Sequence, residues 1–178
     1  VAEPSLPEQA LSALDDVRSV IFLFTPDCAQ VALLERAVWK SFAPLRWTGI
    51  GGRLEGDEVV EPATGALREL REETGLTLAD ISNWRFVADI VDPGAEVRLV
   101  YFTALYAGEQ LPPCTEGTLR WVSLRQYPRY DIIENTCAAL DAILARDLLH
   151  TTEALPLHGL IQRNAAGKLL ELVLWPPR

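Results

Sequence analysis

The chain has 178 residues, 49% of them hydrophobic, with 16 Lys or Arg against 25 Asp or Glu and a formal charge of −9. That length closes one good core rather than two, so a single domain over 1–178 is expected. The acidic balance argues against non-specific nucleic-acid binding through a basic surface, and a polyphosphate ligand would have to bring its cations or meet a local positive patch.

No apolar run reaches the ~18 residues that a membrane span needs, and no signal peptide is visible. Cys28, Cys114 and Cys137 are odd in number and lack metal or redox spacing. Reduced thiols in a cytoplasmic protein are the resulting expectation. His150 and His158 have no partners at metal spacing.

In chain order, apolar Ala10, Leu11 and Leu14 predict a short amphipathic helix over 7–16. Residues 18–25 are a continuous apolar run of strand length, the kind buried on both faces. Pro26-Asp27 turns the chain, and 30–36 reads as the returning strand. Residues 38–46 read as a loop that delivers 47–52 as a short strand into a glycine turn. Pro62 suits a first helical turn and Gly75 a left-handed stop, which brackets a helix. Beyond it, 84–91 and 97–106 form a hairpin around Asp92-Pro93-Gly94-Ala95, with Pro at i+1 and Gly at i+2. A Pro-rich loop over 107–117, a strand over 118–123 and a long helix over 132–149 follow. The tail, 157–162 and 168–175 around Asn164-Ala165-Ala166-Gly167, predicts an appended hairpin. The fold class is α/β: a mixed β-sheet between helices, plus a C-terminal β-hairpin. Trp47 and Trp121 are expected in the core.

Chemistry concentrates between Gly51 and Leu76. On the bracketed helix, Ala63, Ala66, Leu67, Leu70 and Thr74 fall on one side, fit to pack on a sheet. Glu69, Glu72 and Glu73, at i, i+3 and i+4, share an adjacent arc. Like charges at that spacing destabilise a helix by a few tenths of a kcal/mol each. A solvated face would interleave Lys there. Together with Glu58 and Gly51-Gly52, the acids offer the hard oxygen ligands that Mg²⁺ prefers while it keeps waters and substrate phosphates in its other positions.

This stretch resembles the signature of the Nudix hydrolases. Gly52 and Glu58 fit its first spacing, and Arg68-Glu69-Leu70-Arg71-Glu72-Glu73-Thr74-Gly75-Leu76 fits its last nine positions. The departure lies between them, where two extra residues fall at 59–61, in the loop before the helix. The resemblance covers 17–149 and implies an α/β/α sandwich. It also implies a Mg²⁺-dependent pyrophosphohydrolase, with Mn²⁺ as a substitute. By resemblance Glu69, Glu72 and Glu73 bind metal with the Gly51 carbonyl, Glu58 is a weaker or more distant ligand, and Arg68 holds a signature glutamate in place. Glu116, five residues before Trp121, resembles the MutT-like glutamate that supplies an extra ligand or the general base. Trp47-Thr48-Gly49-Ile50-Gly51-Gly52 resembles the Trp-Asn-Gly-x-Gly-Gly of enzymes that cleanse the nucleotide pool, with Thr48 standing where they have Asn. Where those enzymes carry a tryptophan and aspartates for stacking and base recognition, the aligned positions here hold Ile133, Glu134 and Asn135.

The expected substrate is a small-molecule nucleotide, foremost a nucleoside triphosphate cleaved to the monophosphate and pyrophosphate. Thr48 and Asn135 are candidate base readers. Arg53, with Lys40 and Arg46, is a candidate phosphate contact. ADP-ribose, dinucleoside polyphosphates, a nucleotide-sensing module without catalysis, and a transferase or isomerase on the same scaffold are the rivals. The chain is expected to act as a monomer or homodimer.

Overall fold

A computed structural model describes residues 15–151 and 155–175. The expected helix over 7–16 lies almost wholly outside them. Among the described residues, eight strands form one mixed sheet: Val17–Phe24 (β1), Gln30–Arg36 (β2), Trp47–Thr48 (β3), Ile81–Asp92 (β4), Val97–Tyr106 (β5), Gly117–Ser123 (β6), Leu157–Arg163 (β7) and Leu169–Trp175 (β8). Two helices, Pro62–Thr74 (α1) and Glu134–Ala145 (α2), flank it. None of the described helices is long and apolar enough to cross a membrane.

The sheet runs β3-β2-β1-β5-β4-β7-β8, with β6 on β2. β1 pairs with β5 and β4 with β7 in parallel, and the remaining pairs are antiparallel. β1 is buried on both faces except at Arg18, as its apolar run demands. Side chains alternate across a strand. Val20, Phe22 and Phe24 therefore join Ala139, Leu140 and Ile143 of α2 in one core cluster. Val17, Ile21 and Leu23 join Ala66 and Leu70 of α1 in the other. The helices thus cover opposite faces, the expected sandwich. Trp47 belongs to the α2-side core, while Trp121 is partly buried on the α1 side, stacked on Tyr106.

Several boundaries move, and of the strand expected over 47–52 only Trp47–Thr48 forms one, with Ile50 making an isolated bridge to Ile21. β4 starts at Ile81, three residues early, because Asn83 takes a left-handed conformation (φ 51°) and bulges re-phase the strand against β5. α2 ends at Ala145 rather than 149. Asp147 is left-handed (φ 51°), its N–H reaches the Leu144 carbonyl and the Leu148 N–H reaches Ile143, the paired bonds that close a helix. Leu148 and Leu149 stay in the core without being helical. At the β4–β5 turn the left-handed residue is Glu96 (φ 51°), not Gly94, and the Asp92 side chain accepts from the Ala95 N–H.

The glycine turn lies against β1. Ile50 exchanges backbone hydrogen bonds with Ile21, and the Gly52 carbonyl accepts from the Ser19 N–H. A Cβ on Gly51, at φ +135°, would fall 2.3 Å from the Ser19 carbonyl oxygen. Glycine is therefore required there by the approach of two backbones.

Candidate metal and nucleotide site

α1 keeps the caps its sequence announces. Pro62 opens it, and Gly75, at φ 76°, closes it with its N–H on the Arg71 carbonyl. Ala66, Leu70 and Thr74 are buried toward the sheet, Ala63 and Leu67 pack beside them, and the acids project along the flank that meets the glycine turn. The two extra residues do not disturb this register. They follow a 3-10 turn, Gly56–Val59, and Val60 stands 80% exposed.

The acids divide into two groups. Arg68 gathers three carboxylates: Nε and Nη2 donate to Glu58 at 2.7 and 2.8 Å, and Nη1 donates to Glu69 and to Glu72, both at 2.9 Å. Its Nη2 also reaches the Arg53 carbonyl. Glu73 turns the other way, buried, and accepts from the Gly51 N–H at 3.3 Å. Glu69 lies against Gly52, where a Cβ would fall 2.5 Å from its Oε2. Glu69 and Glu73 thus flank Gly51-Gly52 while Glu72 stays largely in solvent. Among the described residues no three acidic, His or Cys side chains are grouped to hold a metal ion. Like charges separate, and the guanidinium within reach draws three of the four.

The donors nevertheless suit a hard divalent cation. Burial, with the Glu69 charge beside it, pushes Glu73 up to about 7. A cation between these carboxylates would relieve that penalty. Among the described residues no backbone N–H donates to the Gly51 carbonyl, although those of Ile50 and Gly52 on either side are taken.

Glu116 stands near this group without joining it. The Thr115 N–H donates to the Glu73 carbonyl, which docks the segment onto the end of α1, and the Glu116 carboxylate is ion-paired with Lys40. Lys40 also lies close enough to Glu73 to oppose its upward shift.

A cleft of about 280 Å³ opens beside the glycine turn, and Thr48, Asn135, Gly51 and Gly52 all line it. Thr48 and Asn135, 87 positions apart in the chain, are brought to one cavity because the Trp47 N–H bonds the Asp131 carbonyl and the Ile133 N–H the Trp47 carbonyl. Arg53 is not on that lining. It is surface-exposed and pairs with Asp16 at 3.6 Å. Arg46 is also taken, by Asp131 and the Ile132 carbonyl. The cations that do line the cleft are Arg18, itself ion-paired with Asp16 of the same lining at 3.0 Å, and Arg36, set over the Phe42 ring.

Those two arginines were missed by sequence reasoning, and so was Ser19. Its buried hydroxyl lacks a hydrogen-bond partner and lines the cleft against Gly51. A signal was there: Ser19 is the polar residue inside an apolar strand run, where a buried hydroxyl ordinarily demands a partner.

A mixed sheet between two helices, with an acidic helix clasped to a glycine turn, defines the Nudix-fold hydrolases. The NUDIX domain family model matches residues 15–138, and the chain belongs to the Nudix family. Solved structures agree in fold. The NUDIX hydrolase from Nitrosomonas europaea is 20% identical, with a TM-score of 0.64 over 83% of this chain and 79% of that one. The MutT protein from Bacillus halodurans is 20% identical, with a TM-score of 0.57 over 89% and 97%. An ADP-ribose pyrophosphatase from Streptococcus suis is 17% identical, with a TM-score of 0.54 over 78% and 94%.

Proposed function

We propose that the protein is a Mg²⁺-dependent nucleotide pyrophosphohydrolase that converts a nucleoside triphosphate to its monophosphate and pyrophosphate. The observation that carries this reading is continuity. One cleft runs from Thr48 and Asn135 to Gly51-Gly52, and the glycines lie between Glu69 and Glu73. A base held at the first end leaves its phosphates at the second.

Glu69, Glu73 and the Gly51 carbonyl would hold the cation, with Glu72 joining them once released from Arg68. The bound ion would neutralise the diphosphate, polarise the phosphorus under attack and lower the pKa of a water. The chain's own contribution is positional. Arg68 fixes Glu58 and Glu69 beside the turn. Arg36 supplies positive charge at the cleft, where Arg18 is offset by its ion pair with Asp16. Thr48 and Asn135 present a hydroxyl and a carboxamide to the base edge, each able to donate and accept.

A panel of nucleoside triphosphates, ADP-ribose and dinucleoside polyphosphates with Mg²⁺ or Mn²⁺, products separated, tests this. Triphosphates should give the monophosphate and pyrophosphate with the highest kcat/KM. Preference for ADP-ribose, read as AMP and ribose 5-phosphate, would move the substrate, and no hydrolysis product from any compound would end the hydrolase reading. Glu72→Gln should abolish turnover with the fold retained. Unchanged Mg²⁺-dependent turnover would refute the metal assignment.

A further inference from the structure

The β7–β8 hairpin lies beyond residue 138, where the family match ends. Pairing with β4 attaches it to the sheet, and a side-chain clamp attaches it a second time. Arg163, at the end of β7, donates from Nε and Nη2 to both carboxylate oxygens of Asp92, at 2.9 and 2.6 Å for the shorter contacts. Its Nη1 donates to Glu134 at 2.9 Å and to the Gly167 carbonyl at 2.8 Å. Asp92 is fully buried and Arg163 nearly so, whereas Glu134 is half exposed.

The two acids sit on different segments. Asp92 ends β4 and opens the turn to Ala95, and Glu134 opens α2. Those segments wall the cleft: Ala95 and Val97 line it from one, Ile133, Asn135 and Thr136 from the other. The turn is shaped to admit the clamp, since a Cβ on Gly94 would fall 2.8 Å from Arg163 Cδ. A planar guanidinium holds two carboxylates at a set separation and angle, which a single ammonium point cannot do.

We infer that Arg163 is a positioning residue for nucleoside binding, through which the appended hairpin sets the spacing of the two cleft walls. The inference rests on the proposed function only in that the cleft takes a nucleoside.

Two variants test it in the full chain. Glu134→Gln removes the charge from the link to α2, weakening a charge-assisted hydrogen bond to a neutral one, and leaves the buried Asp92–Arg163 pair intact, so folding is not at stake. Arg163→Lys keeps the charge and loses the fork. Each is compared with wild type in Mg²⁺-dependent hydrolysis of the panel's triphosphates and, without metal, in calorimetric binding of the nucleoside monophosphates. For Glu134→Gln the expected result is a rise in KM and in monophosphate Kd of about 3- to 10-fold, within the range seen for residues that couple at a distance. Its kcat should stay within about twofold and its Tm should not move. Arg163→Lys should shift both constants further in the same direction. Unchanged KM and Kd in Glu134→Gln, beside a wild type that hydrolyses and binds, would overturn the inference alone. A fall in kcat with KM and Kd constant would do the same. A wild type that neither hydrolyses nor binds any nucleotide would remove the functional reading, and the inference with it.

Discussion

Arg68 shows how one side chain changes what a set of acids can do. Four carboxylates within a few ångströms would repel, yet three of them share its fork. Lysine cannot reproduce that geometry, so Arg68→Lys should lower kcat/KM by about 10- to 100-fold, the usual effect of losing a group that orients metal ligands. Steady-state kinetics across Mg²⁺ concentrations will show it, and an unaffected variant would mean that the fork is ornamental to the site. The same contact has a pH signature. The Arg68 hydrogen bonds, helped by the Glu55 N–H, hold Glu58 at about 2 instead of 4.5. The folded chain thus binds that proton less tightly than the unfolded one, so the stabilisation is complete above pH 4.5 and is lost as pH falls toward 2. The Tm difference between wild type and Glu58→Gln should be constant above pH 4.5 and shrink below it; a gap that ignores pH would contradict the pairing.

At the scale of elements, α1 was legible at both ends because its caps are written in residues with a single strong preference, proline at the start and glycine at the stop. Gly75 has open space around its Cα, so only backbone strain opposes a side chain there. Gly75→Ala should cost about 1 kcal/mol, and Gly75→Asn less, since asparagine tolerates the left-handed region; denaturant midpoints will rank the two, and equal costs would show that left-handed strain does not set them. α2 was overextended because its apolar spacing runs on through Leu148 and Leu149, which do pack in the core. The stop falls on Asp147, a residue whose local preference does not announce it. β4 was shortened for a related reason, since a bulge at Asn83 interrupts the alternation by which a strand is recognised.

For the whole molecule, the hairpin is part of the core rather than an ornament on it. Leu157 and Ile161 belong to the α2-side cluster, and β7 covers the edge of β4. Deleting everything after residue 151 should lower the Tm by many degrees and produce self-association, because an uncovered strand edge invites pairing with another chain. Size-exclusion chromatography and a thermal melt will report it. A monodisperse truncation with the parent Tm would show the sandwich closing without the hairpin.

What the sequence by itself determined was whatever short-range preference encodes: the strand run of β1, the caps of α1, the acidic arc, the Nudix spacing and the hairpin at the tail. The tertiary structure alone decided which acids meet the glycine turn and which meet Arg68. It also placed Thr48 with Asn135 at one cleft, left Ser19 without a partner there, and joined Arg163 to Asp92 across 71 positions. The reason is physical. Helix and turn preferences act over a few neighbouring residues, whereas the choice of ion-pair partner and the shape of a cavity depend on atoms that only folding brings within reach.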